Sequence, residues 1–219
     1  MSLFPEQPIA GPAPKGLGRM MAGGAKVERQ GNDYYPTPAS VTRALIAVER
    51  EALVAACDLY HPVWEPCGRG GAIAAELQAA GFATIATDLV ADPAHRVTQQ
   101  DLLLCRDAYS PVAVTNMPFT LAEAMIRHLL GELKVQYLAG LFKSTFWHAE
   151  CRTGLWRQYP PARIYALNWR PDFLGQGNPT MEVIWTVWDA EALPGGCTYD
   201  VLTPFSAPGL FDAPDKGAG

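Results

Sequence analysis

The chain has 219 residues, 49% of them hydrophobic and 18% charged, with a formal net charge of −5. This length suits one domain with tails, no apolar run approaches the ~20 residues of a membrane span, and the acidic balance excludes whole-molecule attraction to phosphates. Five cysteines (Cys57, Cys67, Cys105, Cys151 and Cys197) make no Cys-x-x-Cys pair, which argues against a disulfide framework and a zinc ribbon, and no basic-then-apolar leader opens the N-terminus, so a soluble, cytoplasmic protein is expected.

Residues 1–32 are rich in Gly, Pro and Ala without apolar periodicity and read as an irregular arm. A first helix is expected from Ser40 to Ala56, behind Pro38. Strands follow near Pro62–Glu65 and Thr84–Asp88, separated by a helix over Ala72–Ala80 that Gly81 ends. A strand at Val112–Thr115, a helix at Leu121–Leu133, a strand at Val135–Leu141 and a helix at Ala149–Gln158 come next. Two late strands, Arg163–Asn168 and Glu182–Trp188, have no long helix between them and so predict an antiparallel pair at one sheet edge. Residues 191–219 again carry Pro and Gly and read as a tail. The alternation predicts one α/β domain over 33–190, with a mostly parallel sheet and helices on both faces.

Chemistry-bearing residues fall at the carboxyl ends of these strands, where open α/β sheets bind ligands. The first strand runs into Glu65-Pro66-Cys67-Gly68-Arg69-Gly70-Gly71, a glycine turn that lets a ligand approach the backbone at a helix N-terminus. Asp88 ends the second strand, twenty residues after Gly68, where an acid can bind ribose hydroxyls. Counted from Gly68, a dinucleotide fingerprint would need a third glycine where Ile73 stands. Glu65 suits a cofactor with a cationic amino group and sulfonium better than a pyrophosphate.

The next strand delivers Thr115-Asn116-Met117-Pro118-Phe119. An exocyclic base amine is a poor nucleophile because its lone pair is delocalised into the ring. Asn116 Oδ1 and a neighbouring backbone carbonyl can accept from both N–H groups, Pro118 stiffens the loop, and Phe119 can stack on an extruded base.

With these motifs in order, the chain resembles the amino-methyltransferases, and within them the small phage and prophage N6-adenine DNA methyltransferase-like proteins, over roughly residues 33–189. The matching segments are Tyr35-Pro36-Thr37-Pro38, Trp64-Glu65-Pro66 with the glycine turn, Thr87-Asp88-Leu89, Asp101-Leu102-Leu103, the Asn116 loop with Leu121-Ala122-Glu123, Pro160-Pro161-Ala162-Arg163, and Trp185-Thr186-Val187-Trp188. The resemblance implies a Rossmann-like class I fold and S-adenosylmethionine (SAM) as cofactor. It implies that Tyr35 and Thr37 hold the methionine end, that Glu65, Cys67, Gly68 and Gly70 form the cofactor turn, that Asp88 binds the ribose, and that Asp101 approaches the adenine amine. Asn116, Met117, Pro118 and Phe119 would form the catalytic loop.

Two departures stand out. The family loop reads Asn-Pro-Pro-aromatic, and Met117 replaces the first proline, keeping the carbonyl but not the fixed φ. Cys67 alone separates Pro66 from the first glycine, where two small residues are usual. No metal is implied: His61, His95, His128 and His148 are scattered, and His148-Ala149-Glu150 lacks the Pro-Cys-x-x-Cys of a zinc deaminase.

For substrate, Lys143, Arg152, Arg157, Arg163 and Arg170 face a single acid, Glu150, between positions 143 and 170. Lys143, Arg152, Arg157 and Arg170, with Trp147 and Trp156, are the expected nucleic-acid contacts. No interval is long enough for a recognition domain, so low or short-sequence specificity on DNA is expected. The alternatives are methyl transfer to RNA or to a protein glutamine, and an inactive SAM- or partner-binding module.

Overall fold

The computed structural model describes residues 35–58, 60–177, 179–192 and 196–204. The expected arm at 1–32 and the last part of the tail lie outside the described residues.

Helix α1 (Ala39–Cys57) follows Pro38 and buries Val41, Leu45, Glu49, Leu53 and Cys57, an i, i+4 stripe that faces the core. Glu49 is the one charge in that stripe, and it is fully partnered. It accepts from Tyr137 Oη at 2.8 Å and Tyr165 Oη at 2.5 Å and binds the Arg163 guanidinium, which also holds Asp189 at 2.7 Å. Burial is thereby made tolerable, because the Arg163 guanidinium balances the charge and the two hydroxyls satisfy the remaining lone pairs.

Eight strands form one sheet: β1 (Val63–Glu65), β2 (Thr84–Asp88), β3 (Val97–Gln99), β4 (Val112–Asn116), β5 (Tyr137–Lys143), β6 (Arg163–Leu167), β7 (Val183–Asp189) and β8 (Thr198–Leu202), in the order β3-β2-β1-β4-β5-β7-β6-β8. All neighbours are parallel except that β7 runs antiparallel to both β5 and β6. On one face Val63, Val112, Val114, Ala139 and Trp185 pack with α1 and with α2 (Ala72–Ala79). On the other, Trp64, Ala113, Leu138, Phe142 and Trp188 pack with α3 (Ala122–Arg127), a π-turn at His128–Glu132 and α4 (Thr153–Gln158). The expected α/β layering is therefore present, with strand alternation sending successive residues to opposite cores.

Three details differ from the sequence expectation. Strand β3 has one buried residue in three, so it carries no apolar run to read. Strand β8 lies within the expected tail and extends the sheet beyond β6, so the antiparallel pair is not itself the sheet edge. The helix expected from Ala149 to Gln158 is α-helical only from Thr153, behind two short 3-10 turns at Ser144–His148 and Glu150–Arg152. Among the described residues no helix is long and apolar enough to cross a membrane.

The chain runs from β1 outward to β2 and β3, then returns to β4 on the other side of β1. That reversal leaves a crevice beyond the carboxyl ends of β1 and β4.

Candidate active site

A cleft of about 480 Å³ fills this crevice, and Tyr35, Thr37, Glu65, Cys67, Asp88, Asp101, Asn116, Met117, Pro118 and Phe119 all line it. The volume lies in the usual range for small-molecule sites, about 300–1,000 Å³. Residues from four separate strand ends and the segment before α1 thus converge on one place.

The first wall is the glycine turn, whose Cys67, Arg69 and Ala72 line the cleft, whereas Gly68 and Gly70, expected to contact the cofactor, shape the turn behind that lining. Gly70 (φ 75°) and Gly71 (φ 61°) both take the left-handed conformation, which side chains disfavour. A Cβ on Gly68 would lie 3.0 Å from Ala86 Cβ, so the turn also needs a small residue to approach β2. Its amides are engaged in sequence: Gly68 N donates to Thr87 O, Arg69 N to Asp88 Oδ2 at 3.2 Å, and Gly70 N to Asp92 Oδ2 at 3.1 Å.

Glu65 is buried and accepts from Ala74 N at 2.8 Å, at the start of α2. Burial raises its pKa to about 8, the Ala74 and Ile73 amides pull it down, and the charge of Asp88 adds to the rise. Cys67 is a neutral thiol, its pKa pushed up by burial. Asp88 accepts Arg69 N on one oxygen and Val90 N on the other, at 3.0 Å. A carboxylate has about four acceptor positions, so lone pairs remain for two hydroxyls. Asp101 accepts Leu103 N at 3.0 Å, capping the turn Leu102–Leu104, while still lining the cleft.

The second wall is the loop after β4. Asn116 Nδ2 donates to Thr37 Oγ1 at 3.1 Å and to Tyr35 O at 3.3 Å. With the amide nitrogen so bound, Oδ1 is left as the acceptor. Met117 is 1% exposed, its side chain sunk among Phe142, Met125 and Ile126 in the second core. A Cβ at Gly140 would lie 3.6 Å from Met117 Cε and 2.5 Å from the Phe142 ring, so Gly140 makes room for this packing. Burial therefore anchors the loop at the position where the resembled family has proline. Phe119 stacks against Tyr35 (centroids 6.4 Å apart, planes at 28°), and Lys143 Nζ lies 4.4 Å from the centre of its ring.

The cationic candidates are engaged to different degrees. Lys143 sits at the cleft through Phe119. Arg152 stacks on Phe146 at 4.1 Å and donates to its carbonyl at 2.9 Å. Arg170 pairs with Glu182 at 2.6 Å, and Arg163 belongs to the Glu49 network. Arg157 is exposed, with no carboxylate at ion-pair distance among the described residues. Trp147 and Trp156 stack on each other at 3.9 Å, and Trp156 lies parallel to the buried Trp188.

Asp92, which touches Gly70, and Gln100, which lines the cleft and donates to Asp101 O at 2.9 Å, were not legible as site residues: Asp92 lies in the connection after β2, and Gln100 follows β3, a strand with no apolar run to announce it. Among the described residues no group of three His, Cys, Asp or Glu is placed to hold a metal ion.

No family model matches the chain, and no curated protein matches it in sequence. Solved structures do. A Listeria monocytogenes protein assigned to the class I SAM-dependent methyltransferases superposes with a TM-score of 0.54 at 14% identity, over 82% of this chain and 68% of that one. A Pyrococcus horikoshii protein assigned as an RNA methyltransferase gives 0.53 at 12% identity, over 71% and 86%. A chain of a type I restriction–modification system gives 0.51 at 16%, over 78% of this chain and 45% of that one. The fold is the Rossmann-like fold of class I SAM-dependent methyltransferases.

Proposed function

We propose that this protein is a SAM-dependent methyltransferase acting in the cytoplasm on the exocyclic N6 amine of adenine in DNA, with low or short-sequence specificity. The observation that carries the reading is Asn116. It lines the cleft together with Phe119, and its amide nitrogen is committed to Thr37 and Tyr35, which leaves its oxygen as the available acceptor.

The cleft suits the cofactor in volume and in donors and acceptors. Asp88 offers unused lone pairs to ribose hydroxyls, and Asp101 an acceptor for an adenine amine. Glu65 responds to a cationic amino group by ionising. When bound, SAM supplies a methyl already activated by its sulfonium, so the protein's task is positioning. Asn116 Oδ1 and the Met117 carbonyl would accept the two N–H groups of the target amine, drawing its lone pair out of conjugation and aiming it at the methyl. Attack on that methyl would form the N–C bond as the C–S bond breaks, with S-adenosylhomocysteine as the leaving group and the amine's surplus proton lost to solvent. Phe119 would stack on the extruded base, whose entry displaces Lys143 from the ring toward a backbone phosphate. Buried Met117 keeps the loop from having to order at each turnover.

The test is transfer of labelled methyl from SAM to duplex DNA, single-stranded DNA, RNA and protein, with nucleoside digestion and an Asn116→Ala control. Label in N6-methyladenine of DNA, absent from the control, is the expected result. Label in RNA or in protein glutamine moves the substrate, and SAM binding without any transfer makes the protein an inactive binding module; either overturns the DNA assignment.

A further inference from the structure

The glycine turn is held from outside by a segment that no strand end or glycine motif announces. After β2, a short 3-10 turn at Pro93–His95 brings Asp92 and His95 back against Gly70 and Gly71. Asp92 Oδ2 accepts from Gly70 N at 3.1 Å and from the His95 ring at 2.7 Å. The contact is close on the carbon side as well, since a Cβ on Gly71 would sit 3.1 Å from His95 Cβ. Asp92 itself is tied to β3 by paired backbone bonds with Val97, 2.9 and 3.1 Å long. The His95 bond holds the Asp92 carboxyl below its ordinary range, against an opposing contribution from burial, and the Gly70 amide lowers it further by a lesser amount.

We propose that Asp92, oriented by His95, is a positioning residue for the cofactor: it fixes the left-handed Gly70 peptide and so sets SAM affinity without taking part in methyl transfer. Gly70 and Gly71 take the left-handed conformation at no steric cost but with wide backbone freedom, so what fixes them is the partner each amide finds. Thr87 O and Asp88 satisfy Gly68 and Arg69 from the sheet side, and Gly71 N closes on Gly68 O. Gly70 N–H has Asp92 as its acceptor. Without that acceptor the Gly70 peptide is free to turn, and its neighbours Arg69 and Ala72, which line the cleft on either side of the two glycines, are no longer fixed before binding. Affinity then carries the ordering cost, while the reacting amine and methyl, placed by the opposite wall, are unaffected once the site is filled.

This inference rests on the reading of the cleft as a SAM site, and the experiment separates the two. SAM and S-adenosylhomocysteine binding are measured by calorimetry for wild type, Asp92→Ala, Asp92→Asn and His95→Ala, together with hydrogen exchange at Gly70 and thermal midpoints. Asp92→Ala is expected to weaken binding about tenfold, the scale of one lost hydrogen bond to a charged group, and to speed Gly70 exchange. Turnover at saturating SAM should stay within about twofold. Asp92→Asn keeps an acceptor and should recover most of the affinity, and His95→Ala should lose about threefold. A merely structural role would lower the midpoint and the folded fraction while leaving the dissociation constant of the folded protein unchanged. If wild type binds SAM and both Asp92→Ala and His95→Ala bind it equally well, the positioning role is overturned alone. If wild type binds neither ligand, the SAM reading fails and this inference with it.

Discussion

The two walls of the cleft are built in different ways. The proposed cofactor wall, Glu65 to Asp101, is a local construction in which carboxylates accept backbone N–H groups: Glu65 takes Ala74, Asp88 takes Arg69, Asp92 takes Gly70 and Asp101 takes Leu103. The proposed catalytic wall depends on contacts far apart in sequence. Asn116 is held by Thr37 and Tyr35, 79 and 81 residues away, and Phe119 by Tyr35 and Lys143. The first wall can therefore be perturbed in affinity while chemistry survives. The second has little redundancy, and losing a contact there should strike turnover.

The largest expected effect tests that division. Asn116→Ala removes the amine acceptor and should lower turnover by a factor of about 10² or more, in the range for loss of one positioned transition-state partner, with SAM affinity within about twofold. Thr37→Val leaves Asn116 in place but frees its amide to rotate, and a turnover loss of about tenfold at saturating SAM is expected, beside any loss of SAM affinity from Thr37's own expected place at the methionine end. Single-turnover assays measure both. Equal losses of SAM affinity in the two variants would mean that the walls are not separable.

Met117 comes next, because here the catalytic wall is also core. Met117→Ala should cost about 2–4 kcal/mol of unfolding free energy by opening a cavity beneath the loop. Met117→Leu, close in volume, should cost less than about 1.5 kcal/mol and keep activity. Chemical denaturation with assays on the same samples checks this. A Met117→Ala variant as stable as wild type would show that burial does not anchor the loop.

This residue also marks how far the sequence could be read. The strand ends, the glycine turn, Asp88 and Asn116 were legible because they follow local rules of spacing. That Met117 is buried could not be read, since its burial requires Gly140 and Phe142 on a strand whose register was still unplaced, and β5 in fact ends at Lys143, two residues beyond its expected limit. Strand β3 was missed for want of apolar residues, and β8 because its alternation lies among glycines and prolines. The five cations between 143 and 170 looked like one patch, whereas the fold sends Arg163 to Glu49 and Arg152 to Phe146. Charge counts along a chain carry no information about which partners folding will supply.

On the cofactor wall, pH offers a probe that the catalytic wall lacks. Glu65 has its pKa raised from an ordinary 4.5 to about 8, so between those values the native state binds more protons than the unfolded chain. Its contribution to stability is complete below about pH 4.5 and is lost as pH rises through 8. A cationic cofactor beside the carboxylate favours ionisation, so SAM affinity should rise from pH 6 to 8, by up to about tenfold per unit, with proton release on binding. Glu65→Gln should flatten both trends. Calorimetry in buffers of different ionisation enthalpy detects the proton, and release of none would show that Glu65 does not sense the cofactor's charge.

The smallest effects belong to the cations around the catalytic wall, and they should be unequal. Each phosphate neutralised contributes about 0.9 to the slope of log affinity against log salt on duplex DNA. Arg157 is exposed without an ion-pair partner among the described residues, so Arg157→Gln should remove nearly that full amount. Arg170 must first give up Glu182, and an exposed pair of this kind is worth at most about 1 kcal/mol, so Arg170→Gln should change the slope by less. Arg152→Gln should leave the slope unchanged, because that guanidinium is spent on Phe146, and should lower stability instead. Binding titrations from about 50 to 200 mM salt rank the three. The ranking matters more than any single slope: if Arg152 proves the largest contributor, DNA approaches across α4 and the Phe146 turn, and the path over Lys143 and Phe119 has to be abandoned.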